Sequence, residues 1–474
     1  MTRRTRGAIA LATAMVVGAG YVTLDVFDVV PGVLTRDTRE IDPPPRPDPD
    51  EDGAIAPTAA SPAPPMQALA TTVPPPTQAG LAAALTPAVK DPALGPSVGL
   101  DVRDGLTGER LWSHDPGRAR TPASTTKLLT AAALSHAAPG ERTFDTRVVT
   151  GATPSDVVLV AGGDTLLAPG TGTPDAVAGR AGLTDLARQT AAALRRSGTT
   201  TVKVHLDDSY ARGPALAPAW AQEDVALGLT GPVAMLGMDD TRPLPGRPAP
   251  TDPALTATSR FAVALVEAGI DVAGRPDRVT APRGATELGV VHSAPRREVL
   301  ALALDESDNA LTESLARSGA SEAGLGDLSF PSVASWVRDR LTEQQIPTGR
   351  VALVDTSGLS RATRVPASVV ADVLVLASTG ASPEFAEVVA RLPVAGLSGT
   401  LHDRFHGERA RSAAGIARAK TGTLTGVHAL GGTVVDADGR LLVYAVLVDR
   451  AGGTPEARAA LDRLVATLAA CGCR

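Results

Sequence analysis

The chain has 474 residues, which gives room for two or three domains and an ample hydrophobic core. Its formal net charge is -6 and its pI is about 5.7, values that argue against a nucleic-acid-binding surface. Aromatic residues make up only 3% of the chain, so the core must consist mainly of Ala, Val and Leu.

The N-terminal segment has the pattern of an export signal. Arginines at positions 3, 4 and 6 precede an uncharged, mostly apolar run over residues 7–22. This run is longer than a usual signal core and slightly short for a membrane span, so residues 1–30 are predicted to be a signal peptide or a membrane anchor. Residues 31–79 are rich in Pro and Ala and predict a semi-extended linker. The expected location is extracytoplasmic, either secreted or tethered to the membrane.

The folded part begins with a helix predicted over residues 81–88. Alternating apolar residues then predict two strands, over 97–104 and 109–113. A proline and a Ser/Thr cluster start an apolar helix that contains Ser124 and Lys127.

Ser124 and Lys127 form an S-x-x-K motif. Residues i and i+3 share one face of a helix, so the hydroxyl and the ammonium can meet. A serine hydroxyl needs a base to become a nucleophile, and a lysine can be that base if burial or a second cation lowers its pKa. Taken alone, the motif fits equally a serine that caps the helix and a lysine that faces solvent.

Residues 143–291 differ in pattern from the preceding chain and predict an inserted α+β domain. His205 lies in one of its strands and is predicted to be a packed or edge residue rather than a metal ligand. The elements predicted in this segment are a strand over 157–164, a helix over 183–196, a strand over 201–207 and a helix over 261–269.

Residues 80–142 and 292–474 are predicted to form one unit around this insert. An antiparallel sheet built from both chain ends, with helices packed on it, makes the predicted fold class α+β. The later elements predicted in this unit are helices over 333–345, 366–378, 383–392 and 455–470, a strand leading into a glycine loop over 351–361, and a hairpin of strands over 427–435 and 441–449.

Two further motifs strengthen the first one. Ser307 and Asn309 belong to an S-D-N motif in a loop that opens a helix, and Lys420 begins a K-T-G motif on a strand. S-x-x-K, S-D-N and K-T-G in this order are typical of serine penicillin-binding proteins and class A β-lactamases. The chain contains only four lysines and one asparagine, and two of these lysines and the asparagine fall in the motifs. This distribution argues against a chance arrangement.

The motif residues supply the groups that acyl transfer from a peptide requires. Ser124 is the predicted nucleophile and Lys127 the predicted base. Ser307 can relay a proton to the leaving nitrogen, and Asn309 can hydrogen-bond Lys127 and the substrate backbone. Lys420 adds a second cation, which is expected to lower the pKa of Lys127 and to attract a carboxylate.

The K-T-G strand is predicted to bind substrate. Thr421 and Thr423 offer hydroxyls to a carboxylate, and Gly422 would let the substrate backbone approach the strand edge. The backbone N–H groups of Ser124 and Thr423 are the expected oxyanion hole. This chemistry requires neither a metal nor a cofactor.

The histidines and cysteines in the C-terminal part are predicted to have no catalytic role. His402, His406 and His428 are expected to be structural, because serine–lysine chemistry does not need them. Cys471 and Cys473 are the only cysteines. With one residue between them a mutual bridge would be strained, and we expect a frayed tail.

The chain resembles the D-alanyl-D-alanine carboxypeptidase/endopeptidase family, the class C low-molecular-mass penicillin-binding proteins of serine peptidase family S13. Residues 162–166 are similar to that family's glycine-aspartate turn, and residues 220–237 are similar to its tryptophan segment. Residues 355–361 resemble its D-G-S-G-L-S-R loop, with Thr356 in place of the glycine.

The resemblance implies the fold of the serine β-lactamases and penicillin-binding transpeptidases. It further implies an enzyme that removes the terminal D-Ala from peptidoglycan stem peptides and that is acylated by β-lactams, with cleavage of peptide cross-bridges as a second activity. Members often carry two nested inserted domains, whereas one is predicted here, so one wall of the cleft is expected to differ. Arg361 is a candidate to pair with a stem-peptide carboxylate, and bracing of its own loop is the alternative.

Three other functions remain open. A β-lactamase on the same fold would need a water-activating group such as a Glu-x-x-x-Asn loop between the second and third motifs, and Asn309 is the only asparagine. A serine esterase on this fold and a non-catalytic cell-wall scaffold are the other two. The intact set of three motifs argues against the scaffold.

Overall fold

A computed structural model of the protein describes residues 73–138 and 140–474. The segment predicted as a signal or anchor, residues 1–30, and most of the predicted linker lie outside the described residues. Within the described part, no single helix is long and apolar enough to cross a membrane. Helices Ala367–Ser378 and Pro383–Val389 meet the length and hydropathy requirement only together, as a pair bent by 107°.

Helices and strands are interspersed along the described chain. The helices are α1 (Gln78–Ala88), α2 (Thr126–Ala137), α3 (Leu183–Arg196), α4 (Gln222–Ala226), α5 (Pro253–Glu267), α6 (Arg296–Asp305), α7 (Asn309–Glu322), α8 (Phe330–Glu343), α9 (Ala367–Ser378), α10 (Pro383–Val389) and α11 (Thr454–Ala469). The strands are β1 (Ser97–Asp104), β2 (Arg110–His114), β3 (Ala119–Arg120), β4 (Asp145–Thr150), β5 (Asp156–Val160), β6 (Thr201–Asp207), β7 (Asp271–Val272), β8 (Asp277–Arg278), β9 (Glu287–His292), β10 (Val365–Pro366), β11 (Arg418–Leu424), β12 (Val427–Val435) and β13 (Leu441–Asp449).

The two ends of the folded chain build one antiparallel sheet, with the strand order β11-β12-β13-β1-β2. Strand β1 pairs with β13 along its whole length, from Ser97 opposite Asp449 to Asp104 opposite Leu442. Every residue of β1 is buried, because α1 and α11 cover one face of the sheet and α2 and α9 cover the other. The α+β prediction is confirmed, and the β12–β13 hairpin has the predicted bounds.

A second, mixed sheet lies between the first and second motifs in sequence. Its order is β7-β6-β5-β4-β9, with β8 also pairing with β6. Strands β4 and β9 are antiparallel neighbours, so the chain leaves and re-enters at adjacent positions. Helices α3 and α5 pack on this sheet through buried residues such as Leu186 and Phe261, in an apolar core that is continuous with Leu129 of α2. The division at residues 143 and 291 stays a prediction.

Two local expectations about the unit that carries the motifs were wrong. Residues 351–354 form no strand: only Ala352 pairs, in a single bridge to Arg364, because the next loop is held by side chains rather than by a neighbouring strand. Ser124 lies in a 3-10 turn, Ala123–Thr125, that precedes α2 instead of inside the helix.

The C-terminal tail is ordered rather than frayed. Cys471 and Cys473 form a disulfide with Cα atoms 4.9 Å apart, inside the range that such a bridge spans. The carbonyl of Cys473 also accepts a 2.8 Å hydrogen bond from the N–H of Thr77, which fastens the tail to the start of the folded chain.

Candidate active site

Ser124 and Lys127 are in contact, as the S-x-x-K spacing predicts. The 3-10 turn still places the serine one turn before the lysine, and Lys127 Nζ lies 3.0 Å from Ser124 Oγ. Lys127 is completely buried and has two more partners, Asn309 Oδ1 at 2.6 Å and the carbonyl of Ser357 at 2.9 Å. Both of these partners can only accept hydrogen bonds from the lysine. Two N–H donors are thereby directed away from the serine.

Burial lowers the pKa of Lys127 to about 8, while the charges of Asp355, Asp308 and Glu313 act in the opposite direction. Burial is the largest cause of this lowered pKa, and a contribution from Lys420 stays a prediction. Lys420 is itself buried in β11, where its Nζ lies 3.1 Å from the carbonyl of Thr421.

The three motifs meet around an open cleft of about 620 Å³. Five of the predicted residues line it: Ser124, Ser307, Asn309, Thr421 and Thr423. Lys127 lies buried beneath the serine. The other charged residues that line the cleft are Arg242, Asp305, Glu306, Asp308 and Arg458, none of which was singled out as a site residue from the sequence.

Ser307 occupies a strained position between α6 and α7. Its φ is 59°, in the left-handed region that side chains other than glycine rarely adopt. Asp308 caps α7 by accepting a 2.9 Å hydrogen bond from the N–H of Leu311. Arg242 donates to Glu306 at 2.5 Å and to Asp308 at 3.2 Å, the residues on either side of the serine. Arg242, which lies in the segment between β6 and α5, therefore holds the Ser307 turn from both sides.

Strand β11 forms the opposite wall of the cleft and is the edge of its sheet. Thr421 Oγ1 donates a 2.9 Å hydrogen bond to Thr400 Oγ1. Gly422 itself is not among the residues that line the cleft, and its predicted role toward substrate stays a prediction. A Cβ on Gly422 would lie 2.8 Å from the carbonyl oxygen of Pro122 and 3.2 Å from Ala123 Cβ. Because side chains alternate along a strand, this glycine instead allows β11 to pack against the nucleophile turn.

Arg361 lies outside the cleft. It is exposed, and its Nη1 donates a 3.0 Å hydrogen bond to the carbonyl of Thr425, just after β11. This contact supports the bracing alternative, and a substrate role for Arg361 stays a prediction.

His428 is buried, and its pKa is lowered to about 4, first by burial and then by Arg458 and Arg404.

The loop after the mispredicted strand supports the nucleophile turn. Buried Asp355 accepts hydrogen bonds from the N–H groups of Gly358 at 3.0 Å and Ser360 at 2.7 Å, and from Trp220 Nε1 at 2.9 Å. Gly358 has a φ of 80°, and a Cβ there would overlap the carbonyl oxygen of Ala123. Through these contacts Asp355 holds its own loop in place.

Sequence reasoning missed Glu313, which lies one helical turn after Asn309. It is 2% exposed, and its carboxylate binds the backbone of the loop that contacts Lys127. The signal was an acidic residue at i+4 from a motif residue, on a helix whose neighbouring residues are mostly apolar or small. Among the described residues, no three or more His, Cys, Asp or Glu side chains are grouped to hold a metal ion.

The sequence model of the D-Ala-D-Ala carboxypeptidase 3 (S13) family matches residues 81–245 and 239–470. The chain belongs to this family. Its members are serine peptidases, so the predicted family, the enzyme class and the serine-type D-Ala-D-Ala carboxypeptidase activity are confirmed at the level of the family.

Two relatives and one solved structure agree with this membership. Carboxypeptidase DacB of Mycolicibacterium smegmatis is 38% identical over 415 residues, which cover 84% of this chain and 86% of that protein. Carboxypeptidase Rv3627c of Mycobacterium tuberculosis is 37% identical over 409 residues, covering 84% and 85%. The crystal structure of penicillin binding protein 4 from Haemophilus influenzae has the same fold, with a TM-score of 0.66 at 18% identity, covering 81% of this chain and 98% of that one.

Proposed function

We propose that this S13 protein removes the terminal D-Ala from peptidoglycan stem peptides through an acyl-enzyme on Ser124. The observation that carries the proposal is the 3.0 Å contact between Ser124 Oγ and the buried Lys127 Nζ. This contact lies under a cleft whose walls carry the other two motifs.

Lys127 is the base in this proposal. A neutral amine has two N–H groups and one lone pair, and its surroundings match that count. Asn309 Oδ1 and the carbonyl of Ser357 accept the two N–H groups, so the lone pair points to Ser124 Oγ. With a pKa of about 8, roughly a tenth of the lysine is neutral at pH 7, and the fraction rises with pH.

Acylation and deacylation then balance as follows. Ser124 Oγ bonds to the carbonyl carbon of the penultimate D-Ala while its proton passes to Lys127. The C–N bond to the terminal D-Ala breaks, and Ser307 relays a proton to the leaving nitrogen. Water hydrolyses the ester and regenerates Ser124. The N–H groups of Ser124 and Thr423 are the proposed oxyanion hole.

The K-T-G strand is proposed to bind the substrate. The edge of β11 can pair with the extended stem peptide. Thr421 and Thr423 present hydroxyls to the terminal carboxylate, and Lys420 adds positive charge behind them. Cleavage of a D-Ala cross-bridge would use the same groups, with a longer chain on the leaving side.

The same serine accounts for a β-lactam partner. Attack on the lactam carbonyl opens the ring, but the leaving nitrogen stays covalently attached to the acyl group, so the ester persists. The proposed location is the cell wall, outside the cytoplasm, because peptidoglycan is the proposed substrate. A membrane tether through residues 1–30 is part of the proposal and lies outside the described residues.

Intact-mass measurement of the full chain with benzylpenicillin tests the proposal. We expect a stable gain of one drug molecule in the wild type and no gain in Ser124→Ala. Ser135→Ala is the matched control. Ser135 lies on α2, away from the cleft, so this variant should acylate normally. D-Ala release from a tripeptide ending in D-Ala-D-Ala measures the carboxypeptidase activity, and conversion of a cross-linked dimer into its monomers measures the endopeptidase activity.

Three results would contradict the proposal. Rapid drug turnover without an adduct would indicate a β-lactamase, and ester hydrolysis without D-Ala release would indicate an esterase. Wild-type protein that neither acylates nor releases D-Ala would favour a scaffold.

A further inference from the structure

Glu313 is a buried carboxylate that accepts hydrogen bonds from one short stretch of loop. Its Oε1 accepts from the backbone N–H of Thr356 at 2.9 Å and of Ser357 at 2.8 Å. Its Oε2 accepts from Thr356 Oγ1 at 2.6 Å. Burying a carboxylate is costly unless hydrogen bonds compensate, so a site that keeps one this deep requires an explanation.

The anchored stretch holds the helix that carries the lysine. The carbonyl of Ser357 accepts from Lys127 Nζ at 2.9 Å. The carbonyl of Thr356 accepts from Thr130 Oγ1 at 2.6 Å, one turn further along α2. In a planar trans peptide the N–H and the C=O point in opposite directions. Because Glu313 fixes the N–H of Ser357, it also fixes the direction of the carbonyl of Thr356 on the other side.

Glu313 also contributes charge to the surroundings of Lys127. Three carboxylates favour the charged lysine: Asp355 from the loop, Asp308 from the cap of α7, and Glu313 from α7 itself. Burial, and then the charge of Asp355, raises the pKa of Glu313 to about 7. Arg317, one turn further on α7, is the cation that interacts with Glu313. Glu313 is thus a titratable neighbour of the base that makes no direct hydrogen bond to it.

We propose that Glu313 is a positioning residue for the reaction: it fixes the Thr356–Ser357 backbone that orients Lys127, and its negative charge raises the pH at which Lys127 becomes a base. This inference rests on the proposed role of Lys127. Two substitutions separate the two parts of it. Glu313→Gln keeps an oxygen for the two backbone N–H groups but removes the charge. Glu313→Asp keeps the charge but shortens the reach.

The test measures the benzylpenicillin acylation rate from pH 6 to pH 10. A negative charge stabilises the ammonium, so its loss in Glu313→Gln should move the midpoint of the rising limb to lower pH by about one unit. The high-pH plateau should stay within a few-fold of the wild type. Glu313→Asp should lower the plateau at least tenfold without moving the midpoint. Glu267→Gln, an exposed acid on α5, makes the same change in net charge and should do neither.

The titration of Lys127 is accessible without any reaction. Because the chain has only four lysines, NMR of protein labelled with 13C at lysine Cε can follow Lys127, assigned with Lys127→Arg. We expect its titration to move to lower pH in Glu313→Gln and not in Glu267→Gln. An unmoved titration in Glu313→Gln would overturn the charge role. An acylation rate of Glu313→Asp at high pH that equals the wild-type rate would overturn the positioning role. This variant still tests the proposal if Glu313→Gln fails to fold.

Failure of the proposed function would look different. A wild type that shows no acylation at any pH would contradict the role of Ser124 and Lys127. The lysine titration would still report whether Glu313 controls the charge of Lys127.

Discussion

The two motif lysines are both buried, yet their surroundings give them different tasks. Lys127 contacts two obligate acceptors and one serine hydroxyl, an arrangement suited to a neutral amine. Lys420 lies along its own strand near Thr421, and its charge lowers the pKa of Asp305 against a larger effect of burial. The first lysine is placed to exchange a proton, and the second to keep a positive charge behind the substrate-binding wall.

Replacing Lys127 by arginine tests this difference. Arginine keeps the positive charge but cannot be deprotonated at accessible pH. Loss of the base should lower the acylation rate by about 10²- to 10⁴-fold at every pH. Stopped-flow or mass-spectrometric rates with benzylpenicillin measure the effect, and Lys90→Arg on the exposed surface is the matched control. Acylation of Lys127→Arg at the wild-type rate would exclude Lys127 as the base.

At the scale of elements, the active site depends on close packing between irregular segments. The nucleophile turn at Ala123 has a φ of 46° and is contacted by Gly422 of β11 and by Gly358 of the 355–360 loop. Both glycines leave no room for a Cβ on the side that faces this turn. The turn that carries Ser124 is therefore held between β11 and the 355–360 loop.

Substituting Gly358 by alanine should disturb this packing more than its backbone angle alone predicts. Its φ of 80° is close to the 77° of Gly380, but a Cβ at Gly380 would meet no atom within 4 Å. Gly380→Ala should cost about 1 kcal/mol for the left-handed backbone. Gly358→Ala adds the overlap with Ala123, for a further loss of about 1–3 kcal/mol.

Urea unfolding and the acylation rate measure the two effects. We expect Gly358→Ala to lower both, and Gly380→Ala to lower stability slightly with normal acylation. Equal stabilities of the two variants would show that the loop can withdraw from the nucleophile turn at little cost.

At the scale of the whole molecule, the region between β6 and α5 joins the inserted sheet to the catalytic residues. Three of its residues form hydrogen bonds with the second-motif segment, residues 306–309, and with the 355–360 loop. These are Trp220 with Asp355, Leu229 with Asn309, and Arg242 with both Glu306 and Asp308. The segment between β6 and α5 therefore supplies part of the lining of the cleft and binds two of the residues around Lys127, Asp355 and Asn309.

Removing the indole N–H of Trp220 should weaken this brace. Trp220→Phe keeps most of the edge-on packing against Phe330, whose ring lies 5.2 Å away. It removes a donor from the buried Asp355, which should cost about 1–3 kcal/mol. We expect a lower melting temperature and a several-fold slower acylation, because Asp355 holds the loop that contacts Lys127.

Trp336→Phe is the matched control. Trp336 is buried to a similar degree, but its Nε1 has no hydrogen-bond partner among the described residues. It should lose packing without slowing acylation. Equal acylation rates of the two variants would show that the hydrogen bond from Trp220 to Asp355 does not contribute to acylation.

The sequence by itself determined the elements that depend on local pattern. The local pattern defined α3 at residues 183–196, and two apolar runs on either side of a turn at residues 436–439 defined the β12–β13 hairpin with the observed bounds. The S-x-x-K spacing also determined that Ser124 and Lys127 meet, since three residues span one turn in either an α-helix or a 3-10 turn. The family followed from motif order and rare residue types.

Tertiary structure alone decided what surrounds those residues. Residues 351–354 form no strand, and the loop that follows them is held by the buried carboxylate of Asp355, which accepts hydrogen bonds from the backbone N–H of Ser360 and from the indole of Trp220. The pKa of Lys127 is lowered by burial, and its third partner, Ser357, lies 230 residues away in sequence. Glu313 acquires its position from a contact 43 residues distant. Burial and distant contacts depend on how the whole chain packs, so no local spacing in the sequence could specify them.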